Sequence, residues 1–140
     1  MPFISRILQH KSLAVVGLEK NCGKTECLNY ILGRIPSDQY KVCITSIGID
    51  GESIDQVTRT KKPEIHLKEG SYFSTSEGHY RLRNLTAEIV GISNETTALG
   101  RIISARVVSP GNVILSGPSS TSSLRRWMRE TEDFGIDLTI

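Results

Sequence analysis

The sequence predicts an α/β protein: a parallel sheet with helices on its faces, carrying an inserted antiparallel β section over about 64–108. Three observations predict it. The apolar run Leu13-Ala14-Val15-Val16 reads as a buried parallel strand and gives way, after a glycine loop, to an amphipathic helix. A second strand, YKVCITSI at 40–47, follows that helix, which makes a right-handed βαβ crossover. Between Glu64 and Val108 the apolar residues alternate with polar ones and turn signals interrupt them, which is the pattern of a β-meander.

The first of these stretches, SLAVVGLEKNCGKTECLNYIL at 12–32, concentrates the chemistry. Strand, glycine loop, Lys-Thr and helix, in that order, is the architecture of a phosphate-binding P-loop. A triphosphate is a dense anion. Backbone N–H groups of a tight loop and the open N-terminus of a helix offer it donors and positive partial charge. Gly17 and Gly23 let the backbone approach the phosphate oxygens. Lys24 is the candidate catalytic residue, because it can place a point charge on the β- and γ-phosphates. Thr25 can offer its hydroxyl to Mg²⁺. Lys20, Asn21, Cys22 and Glu26 complete the nucleotide-binding set. The loop is one residue longer than the usual pattern, with five residues between Gly17 and Gly23. Glu26 puts a carboxylate near the place of an α-phosphate.

The G-x5-G-K-T spacing resembles the dethiobiotin synthetase-like branch of P-loop enzymes, within the wider group that holds the deviant-Walker ATPases. Those ATPases carry a signature lysine early in the loop. Lys20 stands one position out of that register. In the relatives a second Thr often follows the Lys-Thr pair, and here that position is Glu26. More narrowly, GLEKNCGKTECLNYIL, followed by ITSIGIDGE and a later LSGPSS, looks like the small P-loop proteins associated with cobalamin-dependent lysine and ornithine aminomutases. That likeness runs over most of the chain. It implies ATP and Mg²⁺ as cofactors and a chaperone-like, reactivating ATPase activity. It also implies a cobalamin-dependent aminomutase as protein partner, and a homodimer with the nucleotide near its interface.

Composition narrows the function classes. With 140 residues the chain has the length of one domain. Seventeen basic and 15 acidic residues leave a net charge of +2, which does not suggest a nucleic-acid binder. No apolar run approaches the thickness of a bilayer, and MPFISRILQHKS lacks the apolar core of a signal peptide, so a cytoplasmic location is expected. Three cysteines, Cys22, Cys27 and Cys43, argue against a disulfide framework. Cys27 and Cys43 read as small buried hydrophobes. Cys22 lies in the loop, where a lysine and a helix N-terminus lower a thiol pKa.

The remaining elements follow in order. Phe3, Ile4, Ile7 and Leu8 have helical spacing. Gly33 and Pro36 mark the end of the P-loop helix. Val42, Ile44 and Ile47 are the expected core positions of the second strand. That strand runs into Gly48-Ile49-Asp50-Gly51-Glu52 on the ligand edge, where Asp50 is a candidate Mg²⁺ ligand beside Thr25 and where Glu52 has a weaker claim. The polar run 53–62 could serve as a switch loop. Gly70-Ser71 and Glu77-Gly78 read as turns, Tyr72-Phe73 and Tyr80 to Leu85 as strand, 94–97 as a loop and Pro110-Gly111 as a turn before a buried strand NVILS at 112–116. Arg81, Arg83, Arg101 and Arg106 fit the solvent side of a sheet. Ser120 or Thr121 caps a last helix in which Leu124, Trp127, Met128 and Thr131 form the core face. Residues 136–140 begin another parallel strand. A Walker B acid on it would fall just beyond Ile140, so the chain reads either as the N-terminal part of a longer P-loop protein or as a small P-loop domain whose last strand closes the sheet.

Two alternatives stand beside the remodelling ATPase. One is an ATP-dependent small-molecule ligase of dethiobiotin synthetase type, favoured by the longer loop. The other is a module that holds nucleotide without hydrolysing it, favoured by Glu26 and by the missing Walker B acid. ATP rather than GTP is expected because no guanine-reading N-K-x-D pattern is visible.

Overall fold

The computed structural model describes residues 2–16, 23–47, 65–97, 99–118 and 120–140. In chain order the elements are α1 (Pro2–Ile7), α2 (Lys24–Arg34), β1 (Val42–Ile44), β2 (Ile65–Leu67), β3 (Tyr72–Ser76), α3 (Glu77–Arg81), β4 (Asn84–Thr97), β5 (Gly100–Val113), α4 (Thr121–Glu132) and β6 (Leu138–Thr139). The fold is mixed α/β, and its sheet is mixed too. The strand order is β2-β5-β3-β1-β6, with β4 on the other edge of β5. β1 pairs in parallel with β3 and with β6, and Ser12 forms a parallel bridge to Thr139. All other pairings are antiparallel and run through β5.

Alternation along the strands divides the core in two. Val42 and Ile44 of β1, Phe73 of β3, and Ile103, Ala105 and Val107 of β5 face one cluster, together with Ile4 and Ile7 of α1, Leu28, Ile31 and Leu32 of α2 and Tyr80 of α3. Cys43 and Ile102 point the other way, against the fully buried Trp127 of α4. Helices therefore cover both faces of the sheet. Trp127 is a core residue for a physical reason as well as by position. Its indole N–H donates to Ser74 Oγ at 3.1 Å, and Ser74 in turn shares a 2.7 Å hydrogen bond with Ser104. A buried indole without such a partner would lose a hydrogen bond that it makes in water.

Several expectations need correcting. The run 13–16 is not a fully buried strand. Among the described residues only Ser12 forms a bridge, Leu13 N donates to Thr139 O at 2.8 Å, and Val16 is 80 % exposed. The stretch lies outside β6, at the rim of the sheet, where one side has no strand among the described residues. The second strand shrinks to Val42–Ile44, and Ile47 lies at the surface. The inserted section is not an appendage. Its strand β3 sits beside β1, in parallel, in the middle of the sheet.

Inside that section, Glu77-Gly78 opens a helix where a turn and strand were expected. Tyr80 then stacks on Phe73, with ring centroids 6.1 Å apart, so its apolar spacing served helix packing. The expected loop at 94–97 is the end of β4. Pro110-Gly111 does not end β5. Two residues on from Asn84 in β4 correspond to three back from Asn112 in β5, a bulge that contains both. A bulge tolerates the missing proline N–H, and a Cβ on Gly111 would lie 1.8 Å from Asn84 O, so only glycine fits there. The NVILS strand accordingly contributes only Asn112 and Val113, as the tail of β5.

Other elements match the sequence pattern. α1 and α4 form where the spacing places them. Ser120 caps α4 by accepting from Ser123 N at 3.1 Å. β6 is a parallel strand beside β1. Among the described residues no helix is long and apolar enough to cross a membrane.

Candidate functional site

Ser12, β6, β1 and β3 run in the same direction, so their C-terminal ends share one edge of the sheet. In parallel α/β sheets that edge holds ligands. The chain leaves it at Val16 and re-enters the described structure at Gly23, the residue before α2. Gly17, Lys20, Asn21 and Cys22 of the glycine loop lie outside the described residues, as do Asp50, Glu52 and the run 53–62.

The described part of the candidate site is Gly23 to Glu26. Gly23 has φ +88°, a left-handed conformation in which a Cβ is strained. No atom lies within 4 Å of where its Cβ would sit, so the backbone angle, not crowding, calls for glycine among the described residues. Cys27 N donates to Gly23 O at 2.9 Å, which closes the first helical turn. Among the described residues no side chain caps that turn. The amides of Lys24, Thr25 and Glu26 are the donors a helix start leaves over. Lys24 and Glu26 are exposed and Thr25 is half-buried. Among the described residues no ion pair or hydrogen bond engages the side chains of these three. What lies free at this turn is a lysine ammonium, a threonine hydroxyl and backbone N–H groups, beside one carboxylate. Cys27, expected in the core, is exposed on the same turn, while α2 buries Leu28, Ile31 and Leu32 one helical face away.

A second feature of the same edge was not read from the sequence. Two of the strands that end there do so in small hydroxyl residues: Thr45-Ser46 after β1 and Ser74-Thr75-Ser76 in β3, with Ser116 packed against them. Ser116 is fully buried. Its hydroxyl donates to Ser76 Oγ at 2.6 Å and lies 2.9 Å from His79 Nδ1, and it accepts from Ser76 N at 3.1 Å. Thr75 Oγ1 accepts from Ser116 N at 3.0 Å and donates to Ile114 O at 2.9 Å. Thr45 Oγ1 donates to Ser74 O. Gly117 presses so close that a Cβ there would lie 1.8 Å from Ser46 O. The segment 114–117 is thus laced to the ends of β1 and β3 by hydroxyls in place of a regular ladder. Buried hydroxyls paired in this way fix a backbone in place. Enclosed as they are, Ser116 and His79 form a fastening, not an exposed nucleophile and base. The available signal in the sequence is the recurrence of ITS, STS and LSG at strand ends.

Glu77 begins α3 at the same edge. It accepts from both Arg101 N and Arg101 Nε at 2.9 Å, and these hydrogen bonds hold its carboxyl below the usual range. Arg106 and Arg83 of the β section and Arg126 of α4 are engaged too. Arg106 meets Glu88, Arg126 meets Glu95, and the Arg83 guanidinium lies 4.1 Å from the Tyr80 ring centroid. No cluster of three or more His, Cys, Asp or Glu side chains suited to a metal occurs among the described residues. A groove of about 370 Å³, lined by Tyr40, Lys41, Tyr72, Arg106 and Asp137 among others, opens at the opposite edge, where the parallel strands begin. It is therefore separate from the Gly23–Glu26 turn.

Comparison of the chain with family models, with curated proteins and with solved structures returned no match.

Proposed function

We propose that this chain binds a nucleoside triphosphate, ATP with Mg²⁺, at the start of α2, and that binding and hydrolysis serve to remodel or reactivate a protein partner. One observation carries the proposal: Lys24 and Thr25 stand, exposed and half-buried respectively, on a first helical turn that no described side chain caps, behind a left-handed glycine. That turn follows a rim stretch which runs parallel to β6. Bound there, phosphate oxygens would meet the first-turn N–H groups and the Lys24 ammonium, and the Thr25 hydroxyl would reach Mg²⁺. The remaining loop residues, Gly17, Lys20, Asn21 and Cys22, and the acid Asp50 complete the proposed site on sequence grounds. The partner class, a cobalamin-dependent aminomutase, rests on the family resemblance alone.

Glu26 favours a second reading, in which nucleotide is held without turnover. It is exposed on the same turn, and its charge opposes that of a phosphate. Competition with a fluorescent ATP analogue tests the proposal. Displacement by Mg-ATP, weakened when the metal is chelated, is the expected result. Phosphate release then separates the readings: slow release without partner supports the ATPase, and release only with an acid substrate supports the ligase. Tight binding with none supports the holding module. Failure of ATP to displace the analogue at any concentration would remove the proposal.

A further inference from the structure

The core face of the sheet is left unfinished at one edge. β4 is a 14-residue strand, and among the described residues it pairs with β5 alone. Its outer edge therefore presents N–H and C=O groups with no described strand beside them. Of the register shifts along β4, the one between Ile89 and Gly91 shapes the middle of that edge. Ile89 faces Ala105 and Gly91 faces Ser104, so Val90 is the extra residue, and Ile92 then faces Ile103. Ile103 and Ala105 both point into the main core. The bulge thus puts Ile89 and Ile92, three positions apart, on one face, where a regular strand would turn them to opposite faces. Ala87 and Leu85 earlier on β4 pack against that core, but Ile89 and Ile92 are 49 % and 50 % exposed.

We propose that a second copy of this chain docks on this edge, the two β4 strands pairing antiparallel about a two-fold axis between Val90 and Gly91. In that register Ile89 lies opposite Ile92 of the other copy, twice over, so four half-exposed isoleucines meet on one face. Glu88 falls opposite Ser93, and Glu95 stays engaged with Arg126 of α4, so no like charges face each other. β4 contains no proline, lysine or arginine, the residues that commonly guard an edge. A strand from an unrelated partner would need its own match to the bulge, whereas a two-fold copy supplies that match by symmetry. Because β4 is irregular again at Thr86/Ala87 and beyond Ile92, the pairing is confined to about eight residues, 87–94, a strip of about 26 Å. Such a strip buries less than about 1,000 Å² in total, the range of transient contacts, so the dimer is a weak, concentration-dependent one. It does not depend on the nucleotide proposal, because β4 lies beyond β5, away from the Gly23–Glu26 turn.

Sedimentation velocity on the full chain, without nucleotide, tests this. The weight-average mass should climb with concentration from 15.5 kDa toward twice that value. The pair Ile89→Thr, Ile92→Thr keeps β-branched side chains at half-exposed positions and should lower the association constant at least tenfold, whereas Lys24→Ala should leave it unchanged. Hydrogen exchange on the unaltered chain gives an independent readout, since β4 amides should gain protection as concentration rises. A single-chain mass at every concentration overturns the proposal. So does a dimer that survives both threonines, or concentration-dependent protection that appears elsewhere than in β4.

Discussion

Two cysteines show how far burial governs residue chemistry in this fold. Cys43 sits between Trp127 and Ile102, and desolvation pushes its thiol up to about 12, against a smaller opposing effect of the hydrogen bond with Ser74. An unfolded thiol ionises near 8.5. Below that pH both states are protonated and the stability due to the thiol is fully present. It declines as pH rises from there toward 12, since the unfolded chain alone releases the proton. Cys27 is exposed on the first turn of α2. Alkylation at neutral pH, read by peptide mass mapping, should modify Cys27 in the native state and Cys43 only on unfolding. Equal labelling of the two would contradict the packing around Trp127. The sequence made Cys43 and Trp127 legible as core, because each sits within a strong apolar pattern. It misplaced Cys27, which neighbours Leu28 in sequence but lies about 100° away around the helix.

At the scale of elements, backbone space separates glycines that look alike in the sequence. Gly111 lies against the Asn84 carbonyl, while Gly33, within α2, has nothing near its Cβ position. Gly111→Ala should cost roughly 1–3 kcal/mol or more by forcing β4 and β5 apart. Gly33→Ala should stabilise by about 0.5–1 kcal/mol by favouring the helix. Urea unfolding of the two variants checks both signs. The short helix α3 is tied to β5 through Glu77 and Arg101. Because the carboxyl is held below its usual range, the contribution of this contact is present above that range and fades as pH falls through the lowered value. In Glu77→Gln the acid limb of the stability profile should flatten. An unchanged limb would show that Arg101 does not hold the carboxylate in solution. Helices α1, α2 and α4 were legible because their apolar spacing runs over whole turns. The helix α3 was not, since five residues with one stacked tyrosine give no period to read. Pro110-Gly111 misled for a related reason: the bulge that accommodates them is set by β4, 26 residues earlier at Asn84, and long-range pairing leaves no local signal.

For the whole molecule, the mixed sheet explains both what was foreseen and what was not. The alternation of α and β segments predicted parallel pairing, and β1, β6 and Ser12 supply it. Period-two patterning predicted an antiparallel section, and β4 with β5 supplies that. Where the two meet was illegible. β3 belongs to the antiparallel run by sequence, yet it lies parallel to β1, because one strand has two edges and each can take a different partner. The consequence for function is that hydroxyl-bonded ends of β1 and β3, fastened through Ser116, form part of the same sheet edge at which the rim stretch ends before α2. A rigid edge of that kind preorganises whatever binds at it.

The central claim is that Lys24 and Thr25 receive a nucleoside triphosphate. Calorimetric titration of Mg-ATP into the protein, with Lys24→Ala in parallel, tests it most directly. Saturable binding to the unaltered chain is expected, with at least a tenfold loss in the variant and both proteins unfolding at the same urea concentration. Equal affinity in the two proteins, or no heat from either, would contradict it.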